Sequence, residues 1–241
     1  MIELPLIIIF GFIAELVDST LGMAYGVTSN SLLLSIGYAP AIASAIIHTS
    51  EVFTTIASGL SHLRLGNVDK KLFISLVAPG SIAAVIGAYV LVNFPFPGIK
   101  QIVSFYLILM GGVIILRAFG KNIFFKKVDR RLLAFIGGFV DAIGGGGWGP
   151  VVTSTLIANG ENPKKAIGSV NLAEFFVTVS QASAFFIMLG LVDPLIVMAF
   201  MLGALLAAPL GAIACKKVST DTLMVIVASA IIILNVRTLV G

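Results

Sequence analysis

Charge is what this sequence has least of. Asp, Glu, Lys and Arg make up 11% of its 241 residues while hydrophobic types make up 59%, against roughly 25% charge in an ordinary soluble domain. A water-soluble globule is therefore excluded, and a bilayer is the expected surrounding. Cysteine is nearly absent: one residue, Cys215, cannot form an intrachain disulfide or a cysteine metal cluster, and it reads as a small apolar residue near a helix end. No Gly-x-x-x-x-Gly-Lys occurs, so ATP is not the direct driver of any transport. Metal-ligand spacings, paired histidines and a Ser or Cys with a base partner are missing from the apolar segments, which argues against an intramembrane enzyme. No metal and no cofactor is expected. The start, Met1-Ile2-Glu3, has no positive n-region, so the first segment is expected to stay in the mature protein.

What is present is a repeat. Asp18, Gly22, Tyr25 and Gly26 recur 123 residues later as Asp141, Gly145, Trp148 and Gly149. At the same separation Ser31 matches Ser154, Gly37 matches Gly160, Pro40 matches Pro163, Glu51 matches Glu174, Phe53 matches Phe176 and Thr55 matches Thr178. After one inserted residue the spacing becomes 124, pairing Gly66 with Gly190, Asp69 with Asp193, and Gly87-Ala88 with Gly211-Ala212. Two copies of one unit are expected, 1–120 and 121–241, as in duplicated transporter folds.

Six stretches are long and apolar enough to cross a bilayer, which takes about 20 residues: 41–62, 71–92 and 97–117 in the first copy, and 164–189, 193–214 and 220–239 in the second. Each copy opens with a glycine-broken segment, 5–37 and 131–160. If these segments cross once, the 15 basic residues divide ten against five between the two sides; if they re-enter, the division is thirteen against two. The positive-inside rule favours the second map. It places Arg64, Lys70, Lys71, the linker from Arg117 to Arg131, Lys164-Lys165 and Lys216-Lys217 in the cytoplasm and both termini outside. The basic pI near 9.3 is thus about topology, not nucleic acid. The expected fold is an all-α polytopic membrane protein. Its two pseudo-symmetric, inverted repeats each comprise a broken or re-entrant glycine-containing helix followed by three transmembrane helices.

Irregular backbone at membrane depth survives only where protein buries it or it lines a wet cavity. Four consecutive glycines, Gly144 to Gly147, favour unwinding, and Pro150 suits the first turn of a new helix. The amides of Gly147, Trp148 and Gly149 would then be open, as would those near Gly22 and Gly26. Such amides at a helix N-terminus suit an anion. The competing reading is that the glycines only let helices approach closely, which is the expected role of Gly80, Gly87, Gly203 and Gly211.

Ionisable groups inside a bilayer cost roughly 2.5–3.5 kcal/mol each and are usually functional. Here they are Glu15, Asp18, His48, Glu51, Asp141 and Glu174. Asp18 and Asp141 precede the breaks and are placed to accept the unwound amides. Glu51 and Glu174 each follow a hydrogen-bonding side chain by three residues, His48 and Asn171, so each pair shares a helix face. His48 and Asn171 are candidate donors to an anion. The four carboxylates Asp18, Glu51, Asp141 and Glu174 are candidates for proton coupling or for a structural role. Tyr25 and Trp148, at matching loop positions, are candidates to gate the path or stack on substrate, or else for an interfacial belt.

The glycine break closing on Pro150, the Asn171-x-x-Glu174 pair, the repeated Gly-Ala of Gly87-Ala88 and Gly211-Ala212, and the duplicated architecture together resemble the sulfite exporter TauE/SafE family of membrane permeases. The resemblance covers essentially the whole chain. It implies transport of sulfite, a sulfonate or a related small sulfur-containing or organic anion across the cytoplasmic membrane. The first copy departs from the glycine-rich pattern at Leu21, Met23 and Ala24. The expected partners are a small anionic substrate and the lipid bilayer, without nucleic acid, and with a homodimer among the open oligomeric states. The expected mechanism is alternating access at a midplane site with Gly22, Tyr25, Gly26, His48, Gly145, Gly146, Gly147, Trp148, Gly149 and Asn171 around the substrate. A selective anion channel is the alternative.

Overall fold

A computed structural model describes residues 4–95, 97–121, 128–215 and 221–240. Lys126, Lys127, Lys216 and Lys217, used above to orient the chain, lie outside the described residues. Among the described residues all regular structure is helical: α1 (Leu4–Leu21), α2 (Tyr25–Ser35), α3 (Pro40–Arg64), α4 (Lys70–Asn93), α5 (Ile99–Ala118), α6 (Arg130–Gly144), a π-helical turn (Gly149–Thr153) that runs into α7 (Ser154–Ala158), then α8 (Pro163–Leu189), α9 (Pro194–Ala214) and α10 (Asp221–Val240).

Matching local signals set matching boundaries. Gly37 and Gly160 take positive φ just before Pro40 and Pro163 open α3 and α8. Gly66 and Gly190 do the same ahead of Asp69 and Asp193, whose carboxylates accept the Leu72 and Ile196 amides and cap α4 and α9.

Among the described residues, five helices are long and apolar enough to cross a membrane: α1, α4, α5, α8 and α9. α3 has the length, 25 residues or roughly 37 Å at 1.5 Å per residue. Its strip of Ser, Thr, His and Glu lowers its hydropathy below that of the others. This is a bundle with its polarity reversed relative to a soluble protein. Ile74, Ile82, Phe105, Ile187, Leu206 and Ile233 face outward, while Glu15, Asp18, His48, Glu51, Asp141 and Asn171 are buried. Such a surface needs lipid to cover it.

Contacts fix the helix directions. Thr55 meets Thr178, Ser58 meets Asn171 and Gly59 meets Leu172, so α3 and α8 cross antiparallel. Gly11 abuts Phe200, Gly203 abuts Ile8 and Phe12, and Gly211 abuts Leu16 and Ser19, so α1 runs parallel to α9. In the same way Gly138 lies on Gly80, and Gly87 lies on Phe139 and Ala142, so α6 runs parallel to α4. The first helix of each copy thus packs on the fourth of the other. Missing Cβ atoms make this possible: one on Gly203 would lie 2.0 Å from the Ile8 carbonyl oxygen, and one on Gly138 2.3 Å from that of Gly80. Tight packing is thus the observed role of Gly80, Gly87, Gly203 and Gly211.

Short connections complete the geometry. The link 190–193 sets the start of α9 beside that of α3, where Tyr38 donates to Asp193 at 2.6 Å, so α9 runs back from α8 and α1 points the same way as α3. α2, which reaches the start of α3 through 36–39, must come back toward the end where α1 began. By the same argument the π turn and α7 come back along α6 to the start of α8.

Candidate functional site

The two breaks meet. A Cβ on Gly26 would lie 2.7 Å from Gly146 Cα, one on Gly146 2.1 Å from the Val27 nitrogen, and one on Gly149 2.4 Å from both the Gly22 oxygen and Met23 Cα. Glycine is needed here for close backbone approach, and at Gly22, Gly145 and Gly146 also for positive φ. Ala24, where the first copy lacks glycine, is itself held at φ 108°, a conformation costly for a residue with a Cβ.

Side chains at equivalent positions tie each tip to the other. Asn30 Nδ2 donates to the Gly144 carbonyl at 2.5 Å, and Thr153 Oγ1 donates to the Gly22 carbonyl at 2.7 Å. Positions 30 and 153 are 123 residues apart. Thr153 was not singled out in the sequence, although the repeat spacing already linked it to Asn30.

Each preceding aspartate accepts the amide seven residues on. Asp18 Oδ1 takes the Tyr25 amide at 3.3 Å, and Asp141 Oδ1 takes the Trp148 amide at 2.9 Å. The Trp148 amide is therefore engaged by a carboxylate rather than open, because the carboxylate sits inside the turn it caps. The amides of Met23, Ala24 and Gly147 lie outside helices and make no backbone hydrogen bond.

Around the tips lies a continuous polar core. His48, fully buried, has Nδ1 2.8 Å from Glu51 Oε2, Nε2 3.3 Å from the Asp141 carbonyl oxygen and Nδ1 4.0 Å from Asp141 Oδ2. Its ring stacks on Phe185 at 6.1 Å between centroids. Gln181 Nε2 donates to Asp141 Oδ2 at 2.7 Å. On the pseudo-symmetric side Asn171 Oδ1 accepts from Ser58 at 2.8 Å and its Nδ2 donates to the Ile167 carbonyl at 3.0 Å. Ser19 bridges Ser58 at 2.9 Å and Glu15. Glu174 is buried within electrostatic reach of Glu15, Asp18, Glu51 and Asp141. The helices so bring together all the singled-out carboxylates, and in this conformation His48 and Asn171 have their polar atoms engaged by protein.

The two aromatic positions are buried, not set in a belt. Trp148 packs its ring against Gly80 and Val177 and donates Nε1–H to the Val170 carbonyl at 3.3 Å. Tyr25 joins its hydroxyl to Ser50 at 3.0 Å and stands edge-on to Phe200.

Three contributors had no distinguishing sequence signal. Ser58 and Gln181 are ordinary polar residues on apolar helices, though they too are 123 apart. Arg117 reads as a topology charge, but its guanidinium donates to Met23 Sδ at 3.4 Å, beside the first break. Among the described residues, no Lys or Arg makes an ion pair with any of the core carboxylates.

Comparison with known proteins gives a concordant picture. Residues 7–238 match the family described as Sulfite exporter TauE/SafE. The chain is 43% identical over 249 residues to the Probable membrane transporter protein YtnM of Bacillus subtilis (strain 168), an alignment spanning 98% of this chain and 83% of that one. No solved structure matches.

Proposed function

Because the chain belongs to the sulfite exporter TauE/SafE family of membrane transporters, we propose that it carries a small anion, sulfite, a sulfonate or a relative, across the cytoplasmic membrane by alternating access between inverted repeats. The observation that carries this reading is the meeting of the two glycine tips inside a buried polar core, with the Met23, Ala24 and Gly147 amides free of backbone partners. Such amides are anion donors, and irregular backbone at depth is kept only where protein buries it or where it lines a wet path.

The inverted arrangement is supported by α3 and α8. They are equivalent helices, yet they cross antiparallel at the equivalent pair Thr55 and Thr178. A two-fold axis along the membrane normal would leave equivalent helices parallel, so the axis that relates them lies across the bundle. On this reading α1–α2 and α6–α7 are re-entrant hairpins that come from opposite sides and touch at their tips. An anion reaches the amides from one side when one hairpin withdraws, and from the other when its counterpart does. Glu51 and Glu174 flank the contact and are the coupling carboxylates, since an anion beside five buried carboxylates needs protons to balance it.

Proteoliposomes preloaded with sulfite test the reading: external labelled sulfite should enter by saturable counterflow, with thiosulfate, sulfoacetate and acetate ranked as competitors. Flux that rises linearly with concentration and shows no counterflow would instead indicate a channel. Absence of flux for every anion would overturn the substrate class.

A further inference from the structure

We propose that His48 and Glu51 together form a single proton-binding site, loaded in this conformation, that latches the end of α6 to α3; the role in coupling rests on the transport reading above.

The Asp141 carbonyl oxygen, 3.3 Å from His48 Nε2, can only accept, so a hydrogen bond there puts hydrogen on Nε2. A neutral imidazole with hydrogen on Nε2 has a bare lone pair on Nδ1. That lone pair faces Glu51 Oε2 at 2.8 Å, a contact that is attractive only with a proton between the two atoms. The proton belongs either to an imidazolium paired with a carboxylate or to a carboxylic acid donating to a neutral ring. In both cases the pair holds one proton more than neutral histidine and ionised glutamate would.

Loss of that proton sets a lone pair against a carboxylate oxygen. The surroundings cannot compensate. Glu15 and Asp18 on α1, Tyr25 on α2, Asp141 on α6 and Glu174 on α8 are the titratable groups facing the pair, Gln181 on α8 is occupied with Asp141, and Phe185 covers one face of the ring. Relief requires the ring to turn or its remaining hydrogen to sit on Nδ1, and either loses the Nε2–H contact with the Asp141 carbonyl. That carbonyl also accepts the Gly146 amide at 3.1 Å, so the contact anchors the turn that forms the second tip. Proton binding thus favours a closed second tip, and proton release frees it. In the other copy Asn171 stands where His48 does, and an amide cannot titrate. The proton switch belongs to one tip only, giving one proton per cycle through this pair.

The chain has two histidines, His48 and His62, so nitrogen-15 histidine NMR of the purified protein resolves both, with His48→Gln assigning the signals. The expected spectrum shows His48 protonated on Nε2 and strongly hydrogen-bonded at Nδ1. In Glu51→Gln the amide donates to Nδ1, the extra proton is lost, and the His48 signal no longer changes with pH. In proteoliposomes, sulfite accumulation driven by an imposed pH gradient should be lost in Glu51→Gln and in His48→Gln, and kept in Glu161→Gln, a half-buried control paired with Arg130 away from the core. A wild-type His48 that titrates as a free imidazole, or gradient-driven accumulation that survives Glu51→Gln, overturns the proposal. The NMR measurement needs no substrate, so a loaded pair in a protein that moves no anion would sink the transport reading while leaving the proton site standing.

Discussion

Thr55 and Thr178, equivalent residues of the two copies, touch each other through their hydroxyls at 3.2 Å where α3 crosses α8. On the inverted-repeat reading such a meeting point lies on the axis relating the copies, and each threonine also bonds back to the carbonyl of its equivalent glutamate, Glu51 or Glu174. The contact therefore links the two acidic strips. Introducing cysteine at both positions, with Cys215→Ser as background, should give an intramolecular disulfide, since the side chains already lie within bridging reach. Mass spectrometry of the linked peptides is the readout. A linkage found only between molecules would mean that α3 and α8 do not cross there.

Gly146 and Gly37 separate two meanings of a positive φ. Gly37, at φ 104°, has nothing within 4 Å of a built Cβ, whereas at Gly146, φ 152°, that atom would lie 2.1 Å from the Val27 nitrogen and 2.4 Å from the Gly26 carbonyl carbon. Gly37→Ala should cost only backbone strain, about 1–2 kcal/mol. Gly146→Ala must also push the tips apart, adding roughly 1–3 kcal/mol of overpacking. Thermal melting in detergent should rank them in that order, with flux lost in Gly146→Ala and kept in Gly37→Ala. Equal melting temperatures would argue that the tips do not touch.

The architecture was legible because the repeat preserves what the backbone must do. Glycines at 37, 66, 160 and 190, prolines at 40 and 163, and aspartates at 69 and 193 are punctuation, and their spacing survives without an alignment. Asp18 and Asp141 were legible for the same reason, since a carboxylate before a break has unwound amides to accept. Composition could not show the swap by which α1 packs on α9 and α6 on α4, because parallel packing through small residues leaves the same glycines as any close contact. Nor could it show that His48 spends both ring nitrogens on protein. That depends on where the Asp141 carbonyl falls, a tertiary fact invisible to a helix-face argument that stops at Glu51.

Asp69 carries a pH signature that does not involve the buried core. Its carboxylate accepts the Leu72 amide at the head of α4, which holds its pKa below the ordinary aspartate value. A depressed pKa means that the folded state favours the ionised form. The stabilisation is therefore present above the usual value of about 3.9 and is lost as pH falls through the lowered one. Asp69→Ala should cost about 1 kcal/mol at neutral pH, the usual worth of an N-cap. The difference from wild type should shrink below about pH 4. A gap that stays constant from neutral to acid would show that the charge of the cap contributes nothing.

The direction of α3 decides the map of the whole molecule. Gly37 precedes its start and Gly66 follows its end, both exposed and with free space around them. Arg64, Lys70 and Lys71 flank the second position, and the loop near the first has none, so the positive-inside rule puts residue 66 in the cytoplasm. In a Cys215→Ser background, Gly37→Cys should react with a membrane-impermeant maleimide on intact cells, and Gly66→Cys only after permeabilisation. Since α1 points the same way as α3 and α2 returns to its start, external labelling at 37 would also put the N-terminal end of α1 outside, making α1–α2 a hairpin that enters and leaves by one face. Labelling of both cysteines from the same side would mean that α3 does not span, and the inverted-repeat reading would fall with it.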